Sequence, residues 1–386
     1  MRLQSLHKFR RRMFVSAFLF TLLCAAAAQT RPHEVPAPEN PTHHVMLRVV
    51  RVPPEWARFT EDNDGWSAAV MVKESDSLKY FEAAIWLEER AIHLYAFDNG
   101  FDPHAGLLDL TPEEYVAHRE SYRVMRITGL PLPPPDDDYS EHVSAFLREA
   151  FKDITSYVVQ QYPDSEHHLI FHGHGAPGGH LFEYHLFYDD ANEMLAHWTA
   201  ELGRPLGVID MGGPCTKGGY EDLSNFCQHA QFYIASDMPN GGYTFDDWSF
   251  EKFKETDAEL QYHRLFAEAQ DLRAALVGRI DLRRKDYEYS RHGLMTTRWM
   301  QATYLYSCQA FVRFSRQFLS FLNGTDASWL GREDDVLEFL QANGAGPELV
   351  KAFDRVIVHQ ADNRDFFEWP ESRGGMLMPA SWWLRP

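Results

Sequence analysis

Two reactive side chains, a histidine and a cysteine, each follow an apolar stretch of this sequence that ends in small residues. His174 lies in a glycine-rich segment after the apolar run 168–171, and Cys215 follows a run that ends at Asp210. A thiol is a useful nucleophile only as the thiolate, and an imidazole with a pKa near neutrality is its usual base. These residue types predict nucleophilic catalysis by Cys215 with His174 as the base, if the fold brings the two together.

The elements around these residues alternate between strand and helix. The apolar patterns predict strands at 168–171, 205–210 and 231–236. They predict helices at 141–161, 189–202 and 218–229. This alternation predicts a parallel sheet with helices on both faces. Neighbouring strands lie about 5 Å apart. The loops that carry His174 and Cys215 are therefore expected to approach each other at the carboxyl edge of the sheet.

The rest of the chain is less regular. A short β-like run at 45–52 follows a proline-rich lead, and residues 66–100 are predicted to form a βαβ unit with its helix at 78–90. The C-terminal part is predicted to be mainly helical, with one long helix over 300–322 and a last short strand at 374–379.

Glycines on both loops suit a site that stabilises a developing oxyanion. They let the backbone come close to a substrate and leave N–H groups available as donors. Gly175, Gly212 and Gly213, together with the N–H of Cys215, are the predicted oxyanion-hole positions. Asp237 follows the next strand, where it either lies at the floor of a pocket for a basic P1 side chain or is a turn residue.

The composition favours a folded, acidic protein over a nucleic-acid binder. The chain has 386 residues, is 45% hydrophobic and carries a formal net charge of -19. A chain of this length and hydrophobicity can bury a large core. Binding to nucleic acid requires patches of Lys and Arg that contact phosphates, so no nucleic-acid partner is expected.

The first 28 residues are typical of a cleaved signal peptide. A basic segment at 8–12 precedes an apolar run at 14–24, and alanines at 25–28 supply small residues for cleavage. The apolar run is too short to span a bilayer comfortably, so no stable membrane insertion is expected after cleavage. These features predict a secreted or periplasmic protein.

Three cysteines remain after such a cleavage: Cys215, Cys227 and Cys308. In an exported protein an odd number of cysteines leaves a free thiol or an intermolecular bridge. Cys227 and Cys308 are expected to form a disulfide or to be two inert buried thiols. Both alternatives leave Cys215 available for reaction.

The order of strand, His-Gly, helix, strand, Asp and Cys resembles the clostripain-like group of caspase-like cysteine peptidases. Other parts of the sequence that are similar to this family are 66–78, 92–98, Glu221, 235–243 and 375–379. Glu221 follows Cys215 by six residues, as an acid follows the nucleophile of the family. The segment 235–243 resembles a stretch that helps to form the specificity pocket, which implies a substrate-binding role for Ser236 and Asp237.

The resemblance implies a caspase-like three-layer sandwich with a mostly parallel sheet, followed by a mainly helical C-terminal region. It implies an endopeptidase with the dyad His174 and Cys215, peptide or protein substrates, and no cofactor required for the chemistry. Calcium is implied only by likeness to clostripain. The corresponding division of the chain is a signal peptide at 1–28, an N-terminal lead at 29–65, a caspase-like core at 66–249 and a helical region at 250–386.

One departure from the family pattern leaves two interpretations. The family usually has one residue between the strand-end Asp and the Cys, whereas 211–214 separate Asp210 from Cys215. With an insertion, Cys215 is the nucleophile. Without one, Gly212 takes the position of the nucleophile, and the protein is an inactive relative that acts in binding or regulation.

A metal-dependent hydrolase is a further alternative. His172 and His174 form a His-x-His pair that, with Asp210 and His180, has the residue types of a zinc site. The usual third and fourth ligands do not follow at a recognised spacing, so no metal ligand is predicted. The sequence has no Gly-x-Ser-x-Gly motif, which disfavours a serine hydrolase.

Overall fold

A large mixed sheet with flanking helices makes up the part of the chain that the computed structural model describes, which comprises residues 43–51, 78–86, 91–97, 123–128, 139–172, 180–181, 185–214, 216–237, 262–291, 301–324, 335–363 and 374–378. Its strands are β1 (His44–Arg51), β2 (Leu78–Trp86), β3 (Ala91–Phe97), β4 (Arg123–Thr128), β5 (Glu166–His172), β6 (His180–Leu181), β7 (Leu186–Phe187), β8 (Leu206–Met211), β9 (Ala230–Ala235), β10 (Ala302–Ser307) and β11 (Ile357–Asp362). Its helices are α1 (Tyr139–Gln161), α2 (Tyr188–Leu202), α3 (Tyr220–Phe226), α4 (Tyr262–Glu268), α5 (Leu272–Arg291), α6 (Cys308–Asn323), α7 (Val336–Ala342) and α8 (Pro347–Asp354).

The sheet has nine strands in the order β11-β10-β9-β8-β5-β1-β2-β3-β4. The central strands β9, β8, β5, β1 and β2 are parallel to one another. Two antiparallel strands extend the sheet at each edge. The predicted alternation of helix and parallel strand from α1 to β9 is confirmed.

Helices cover both faces of the sheet, which confirms the predicted three-layer sandwich. The larger core contains side chains of α1, α2, α3, α6, α7 and α8. The opposite core contains side chains of α4 and α5. Every residue of β8 is buried, as expected for a parallel strand covered on both faces. No helix in the described part of the chain is long and apolar enough to cross a membrane.

The predicted helix at 78–90 is wrong, because Leu78–Trp86 is the strand β2. It pairs in parallel with β1 and antiparallel with β3, so 66–100 is not a βαβ unit. Polar residues gave this segment the pattern of a surface helix, but Glu82 is buried, with Oε2 3.0 Å from Nη1 of Arg48 on β1. The partner charge on a distant segment lets an acid lie inside a strand. The strand predicted at 66–73 lies outside the described residues.

The place of β1 in the sheet bears on the predicted start of the core at residue 66. β1 lies between β5 and β2 in the middle of the sheet, although it belongs to the segment 29–65 that was assigned to a lead. The pattern at 45–52 predicts a strand there. A strand pattern alone does not indicate which other strands it pairs with. The sheet therefore includes residues on the N-terminal side of the predicted core.

The predicted long helix at 300–322 is a strand followed directly by a helix. β10 ends at Ser307, and α6 begins at the next residue. The side chain of Ser307 caps the helix by accepting a hydrogen bond from the N–H of Ala310 at 3.3 Å. β10 is buried along almost its whole length. A buried, largely apolar run of this kind has no period that separates a strand from a buried helix. The region 250–386 therefore adds β10 and β11 to the sheet as well as helices.

A disulfide joins Cys227, which follows α3, to Cys308 at the start of α6. This confirms the first of the two predicted states for these cysteines. Both residues are buried in the larger core. Disulfides persist in oxidising compartments, so the bridge is consistent with the predicted export of the protein.

His167 on β5 is a buried histidine held in its neutral form. Its Nε2 is 2.8 Å from the carbonyl oxygen of Tyr162, and its Nδ1 accepts a hydrogen bond from Nε1 of Trp198 at 3.3 Å. Burial lowers the pKa of His167 to about 4, against about 6.5 in an unfolded chain. Between these values the unfolded state binds a proton that the folded state does not.

We expect His167→Gln to weaken the pH dependence of stability. The contribution of His167 is fully present above pH 6.5 and is lost as the pH falls towards 4, because protonation favours the unfolded state. The free energy of unfolding should therefore drop between pH 7 and pH 5 by about 2 kcal/mol less in the variant than in the wild type. Urea unfolding at both pH values measures this difference. His142→Gln, at an exposed position of α1, is the control, and an unchanged pH dependence in the His167 variant would contradict the assignment.

Candidate active site

The two loops that carry the predicted dyad leave adjacent parallel strands. β5 and β8 are neighbours in the sheet, and their register places Ile170 opposite Asp210. The loops that follow these strands therefore start at the same edge, about 5 Å apart. His174 and Gly175 belong to the first loop and Cys215 to the second, and all three lie outside the described residues. The strands that carry them are neighbours, and the contact between His174 and Cys215 stays a prediction.

A third strand brings the predicted substrate-binding residues to the same edge. β9 pairs in parallel with β8, with Ala235 opposite Met211. Ser236 and Asp237 directly follow β9, at the level where the loop with Gly213 leaves β8. Gly213 is half-buried, whereas Asp237 is only 2% exposed. These residues share one edge of the sheet, and a role for Asp237 in binding a P1 side chain stays a prediction.

The chain after Cys215 crosses the end of β9. The N–H of Gly218 donates to the carbonyl oxygen of Ser236 at 2.7 Å, and the carbonyl oxygen of Gly218 accepts from the N–H of Leu377 at 3.1 Å. A Cβ atom at Gly218 would lie 2.7 Å from the backbone nitrogen of Asp237. This close approach requires glycine. Gly218 thus joins the loop after β8 to 235–243, which the resemblance assigned to the specificity pocket, and to 375–379, which also resembles the family.

Thr216 has a strained backbone directly after the predicted nucleophile. Its φ of 53° makes it the only non-glycine residue of the described chain with a positive φ. A β-branched side chain is disfavoured there, at a cost on the order of 1–3 kcal/mol, and such strain persists only where the surrounding structure fixes the backbone. Strained residues of this kind cluster at active sites, so Thr216 supports a functional role for this loop.

Asp210, the last acid before this loop, belongs to a buried network. Its Oδ2 accepts hydrogen bonds from the hydroxyl of Tyr262 at 2.7 Å and from Nε of Arg279 at 2.9 Å. Its Oδ1 accepts from the N–H of Gly212 at 2.7 Å, so this predicted oxyanion-hole donor is already paired. Burial lowers the pKa of Arg279, but the Asp210 carboxylate more than offsets this and raises that pKa above its ordinary value. Asp210 therefore anchors the start of the loop and pairs with Arg279.

The surroundings of Gly212 bear on the two interpretations of the loop. A Cβ atom at this position would lie 2.7 Å from Nη2 of Arg279 and 2.9 Å from Oδ1 of Asp210. A side chain at 212 would thus point into a buried ion pair and away from a substrate. This geometry favours a nucleophile that comes later in the loop, as Cys215 does.

A second buried network holds the chain just beyond the predicted nucleophile. Nζ of the fully buried Lys217 donates to the hydroxyl of Tyr188 at 2.9 Å, and that hydroxyl donates to Asp222. The other carboxylate oxygen of Asp222 accepts from the N–H of Gly219 at 3.0 Å. Burial raises the pKa of Asp222, and Lys217 opposes this. Glu221 is half-buried in the first turn of α3, where burial and then the neighbouring Asp222 raise its pKa. The network fixes the start of α3.

Sequence reasoning missed both of these cations. Arg279 lies on the buried face of α5, together with Ala275, Leu276 and Ile280. A charged residue on an otherwise apolar helix face was the one sequence signal that could have indicated a buried ion pair. Lys217 lies in an irregular loop between small residues. A loop has no apolar periodicity against which a buried charge would stand out. Its burial is visible only in the folded chain.

The fold matches solved structures of C11, or clostripain-like, cysteine proteases. An inactive zymogen of a C11 protease from Parabacteroides distasonis has a TM-score of 0.51 at 12% identity, with 88% of this chain and 92% of that chain covered. A secreted C11 cysteine protease from Bacteroides thetaiotaomicron has a TM-score of 0.54 at 10% identity, with 88% and 94% covered. A complex of such a protease from the same organism with an irreversible peptide inhibitor has a TM-score of 0.55 at 10% identity, with 88% and 93% covered.

A scan against models of known families and a search of curated proteins both find no match. At 10–12% identity the structural likeness shows a shared fold. It confirms the caspase-like architecture that the resemblance implied. The roles of individual residues rest on the geometry described above.

Proposed function

We propose that this chain is an exported cysteine endopeptidase in which Cys215 is the nucleophile and His174 is the base. The observation that carries this proposal is the parallel pairing of β5 with β8, since the loops bearing His174 and Cys215 start from their adjacent carboxyl ends. The fold shared with C11 proteases supports it. The disulfide between Cys227 and Cys308 also supports it, because it uses two of the three cysteines expected in the mature chain.

The chemistry follows from the two side chains and the backbone around them. His174 accepts the thiol proton, and Sγ of Cys215 attacks the peptide carbonyl carbon. The N–H groups of Gly175, Gly213 and Cys215 stabilise the oxyanion that forms. His174 then protonates the leaving amine as the C–N bond breaks, which leaves a thioester. A water molecule, deprotonated by His174, hydrolyses the thioester and restores the thiol.

The substrates in this proposal are peptides or proteins, with a preference for a basic P1 residue because of Asp237 beside Ser236. The chemistry needs no cofactor. Calcium, which the resemblance implied, stays an expectation.

Active-site labelling tests the proposal. The folded protein is treated with peptidyl chloromethyl ketones that carry Arg, Lys or Asp at P1, and the adduct is located by mass spectrometry. We expect one label, on Cys215, formed fastest with Arg or Lys and at least about 10-fold more slowly in His174→Gln, because the thiolate is the reactive form. Cys215→Ala is the control that should take up no label. A folded wild-type protein that remains unlabelled by these ketones and by iodoacetamide would contradict the proposal.

A second candidate, a binding or regulatory protein on the same fold, is favoured by Gly212. This residue occupies the position two after Asp210 where the family pattern has its cysteine. In that case Cys215 would remain unlabelled, and peptides would bind without being cleaved. The same labelling experiment therefore separates the two candidates.

A further inference from the structure

We propose that His44, Glu166 and His168 form a zinc site at the amino ends of β1 and β5, at the sheet edge opposite the predicted dyad. One ligand atom of each residue lies within 4.8 Å of the others. Nδ1 of His44 is 3.0 Å from Nε2 of His168 and 3.6 Å from Oε2 of Glu166. In a tetrahedral zinc site with bonds of 2.0–2.1 Å, ligand atoms are about 3.3 Å apart. The two measured separations lie on either side of that value.

The strand register brings these side chains together. β1 and β5 pair in parallel, with His44 opposite Glu166 and Met46 opposite His168. Side chains two residues apart on a strand point to the same face, so Glu166 and His168 share a face of β5. Met46 packs in the core formed with α4 and α5, which places the group on that side of the sheet.

The surroundings are shaped to hold the two imidazoles. Phe266 of α4 stacks on the ring of His44 at 4.2 Å and on that of His168 at 4.8 Å, which leaves the nitrogen atoms in the ring planes directed at each other. A Cβ atom at Gly207 would lie 2.4 Å from Cε1 of His168, so glycine makes room for this ring. Gln231 donates to Oε1 of Glu166 at 2.9 Å. The carboxylate is thereby oriented with Oε2 towards His44.

A hydrogen bond between the imidazoles accounts for only part of this arrangement. One N–H can serve the contact between His44 and His168, but Oε2 of Glu166 then lies beyond hydrogen-bond distance of His44. His168 is fully buried, so its Nε2 faces only the two neighbouring ligand side chains and no solvent. A cation bound to Nδ1 of His44, Nε2 of His168 and Oε2 of Glu166 would use all three lone pairs at once.

The ligand types select the class of metal. Two imidazoles and one carboxylate suit zinc, whereas calcium and magnesium prefer sites built of oxygens alone. The side chain of His44 is 16% exposed, so an ion can enter from its side, and water can supply a fourth ligand. The ion would join the start of the central strand β1 to β5, and its role would be to stabilise the sheet.

Zinc binding is tested in Cys215→Ser protein, so that the predicted thiol nucleophile cannot bind the metal. After removal of metals with a chelator, zinc is added, and the bound metal is counted by elemental analysis after gel filtration. We expect one zinc per chain and a higher Tm with zinc than without. Glu166→Gln and His44→Gln, each in the Cys215→Ser background, should bind zinc at least about 10-fold more weakly and lose the Tm increase.

His167→Gln is the matched control, because it removes a buried histidine from the other face of the same strand and should keep one zinc per chain. Cobalt(II) provides an independent readout, since its visible absorption reports four-coordinate binding that Glu166→Gln should abolish. Folded Cys215→Ser protein that takes up no zinc would overturn the proposal, as would unchanged affinity in both ligand variants. The single variant Glu166→Gln, which retains Cys215, should be labelled on Cys215 at the wild-type rate. The zinc-binding test and the labelling test of the proposed peptidase can therefore fail independently of each other.

Discussion

Replacing Cys215 with alanine should reduce kcat/KM for a peptide with a basic P1 residue by about 10⁴-fold or more. The variant loses the nucleophile and keeps only substrate binding and the oxyanion donors, and nucleophile removal in hydrolases has effects of this size or larger. His174→Gln should have a comparable effect, because the thiol then lacks its base. Cleavage of a fluorogenic peptide, followed under reducing conditions that preserve the disulfide, measures both.

The matched cysteine control is the double variant Cys227→Ser with Cys308→Ser. It lacks the disulfide but retains Cys215, so its kcat/KM should stay within a few-fold of the wild type at a temperature where it is folded. A Cys215→Ala protein that cleaves at the wild-type rate would remove the proposed mechanism. Loss of activity with a chelator and in His172→Gln, but not in Cys215→Ala, would indicate the metal-dependent alternative.

Moving the thiol tests the register of the loop. In the interpretation without an insertion, Gly212 holds the position of the nucleophile, so Gly212→Cys in the Cys215→Ala background should create activity. We expect it to remain inactive, because a Cβ atom at 212 would lie 2.7 Å from Nη2 of Arg279. Activity in this double variant would favour the interpretation in which the natural chain is an inactive relative.

The centre of the fold was predictable because its signals are local. From α1 to β9, each helix has a single apolar face and each strand is a short apolar run, and the crossovers imply a parallel sheet. The positions of His174, Cys215 and Asp237 at strand ends follow from that pattern. Because the strands are parallel, their carboxyl ends lie at the same edge of the sheet. This placement can be predicted without knowing any long-range contact.

The errors arose where a distant segment decides the structure. β2 resembled a surface helix because Glu82 has its partner, Arg48, on another strand. β10 and α6 resembled one helix because β10 is buried along almost its whole length and hides its period. Ser307 was the available boundary signal, since serine is a common N-cap. The position of β1 at the centre of the sheet depends on pairing with β2 and β5, which a strand pattern alone does not contain.

The buried charges at the site depend even more on the folded chain. Asp210 was visible as a strand-end acid, but its partner Arg279 comes from a helix much later in the sequence. The pairing alters what Asp210 does: it holds Gly212 through Oδ1 and Arg279 mainly through Oδ2. The acid thus positions the backbone that leads to Cys215, and the network connects the stability of the core to the geometry of the loop.

Arg279→Met should therefore be among the most destabilising single changes in the chain. It leaves the carboxylate of Asp210 buried without its cation, and breaking a buried ion pair in this way costs about 3–5 kcal/mol. Chemical denaturation at pH 7 measures the loss in the free energy of unfolding. Arg284→Met is the control on the same helix, because that side chain is 47% exposed and pairs at the surface with Asp281; its effect should stay below about 1 kcal/mol.

The double variant Asp210→Asn with Arg279→Met separates the charge from the packing. It removes both charges, so it should be more stable than Arg279→Met alone, with a coupling on the order of 1–3 kcal/mol. Asn keeps an oxygen that can accept the hydrogen bond from the N–H of Gly212, so Cys215 should still be labelled at a rate within a few-fold of the wild type. A double variant no more stable than Arg279→Met would show that the unpaired charge is not the cause of the loss. Normal stability with abolished labelling would instead show that the loop depends on the ion pair itself.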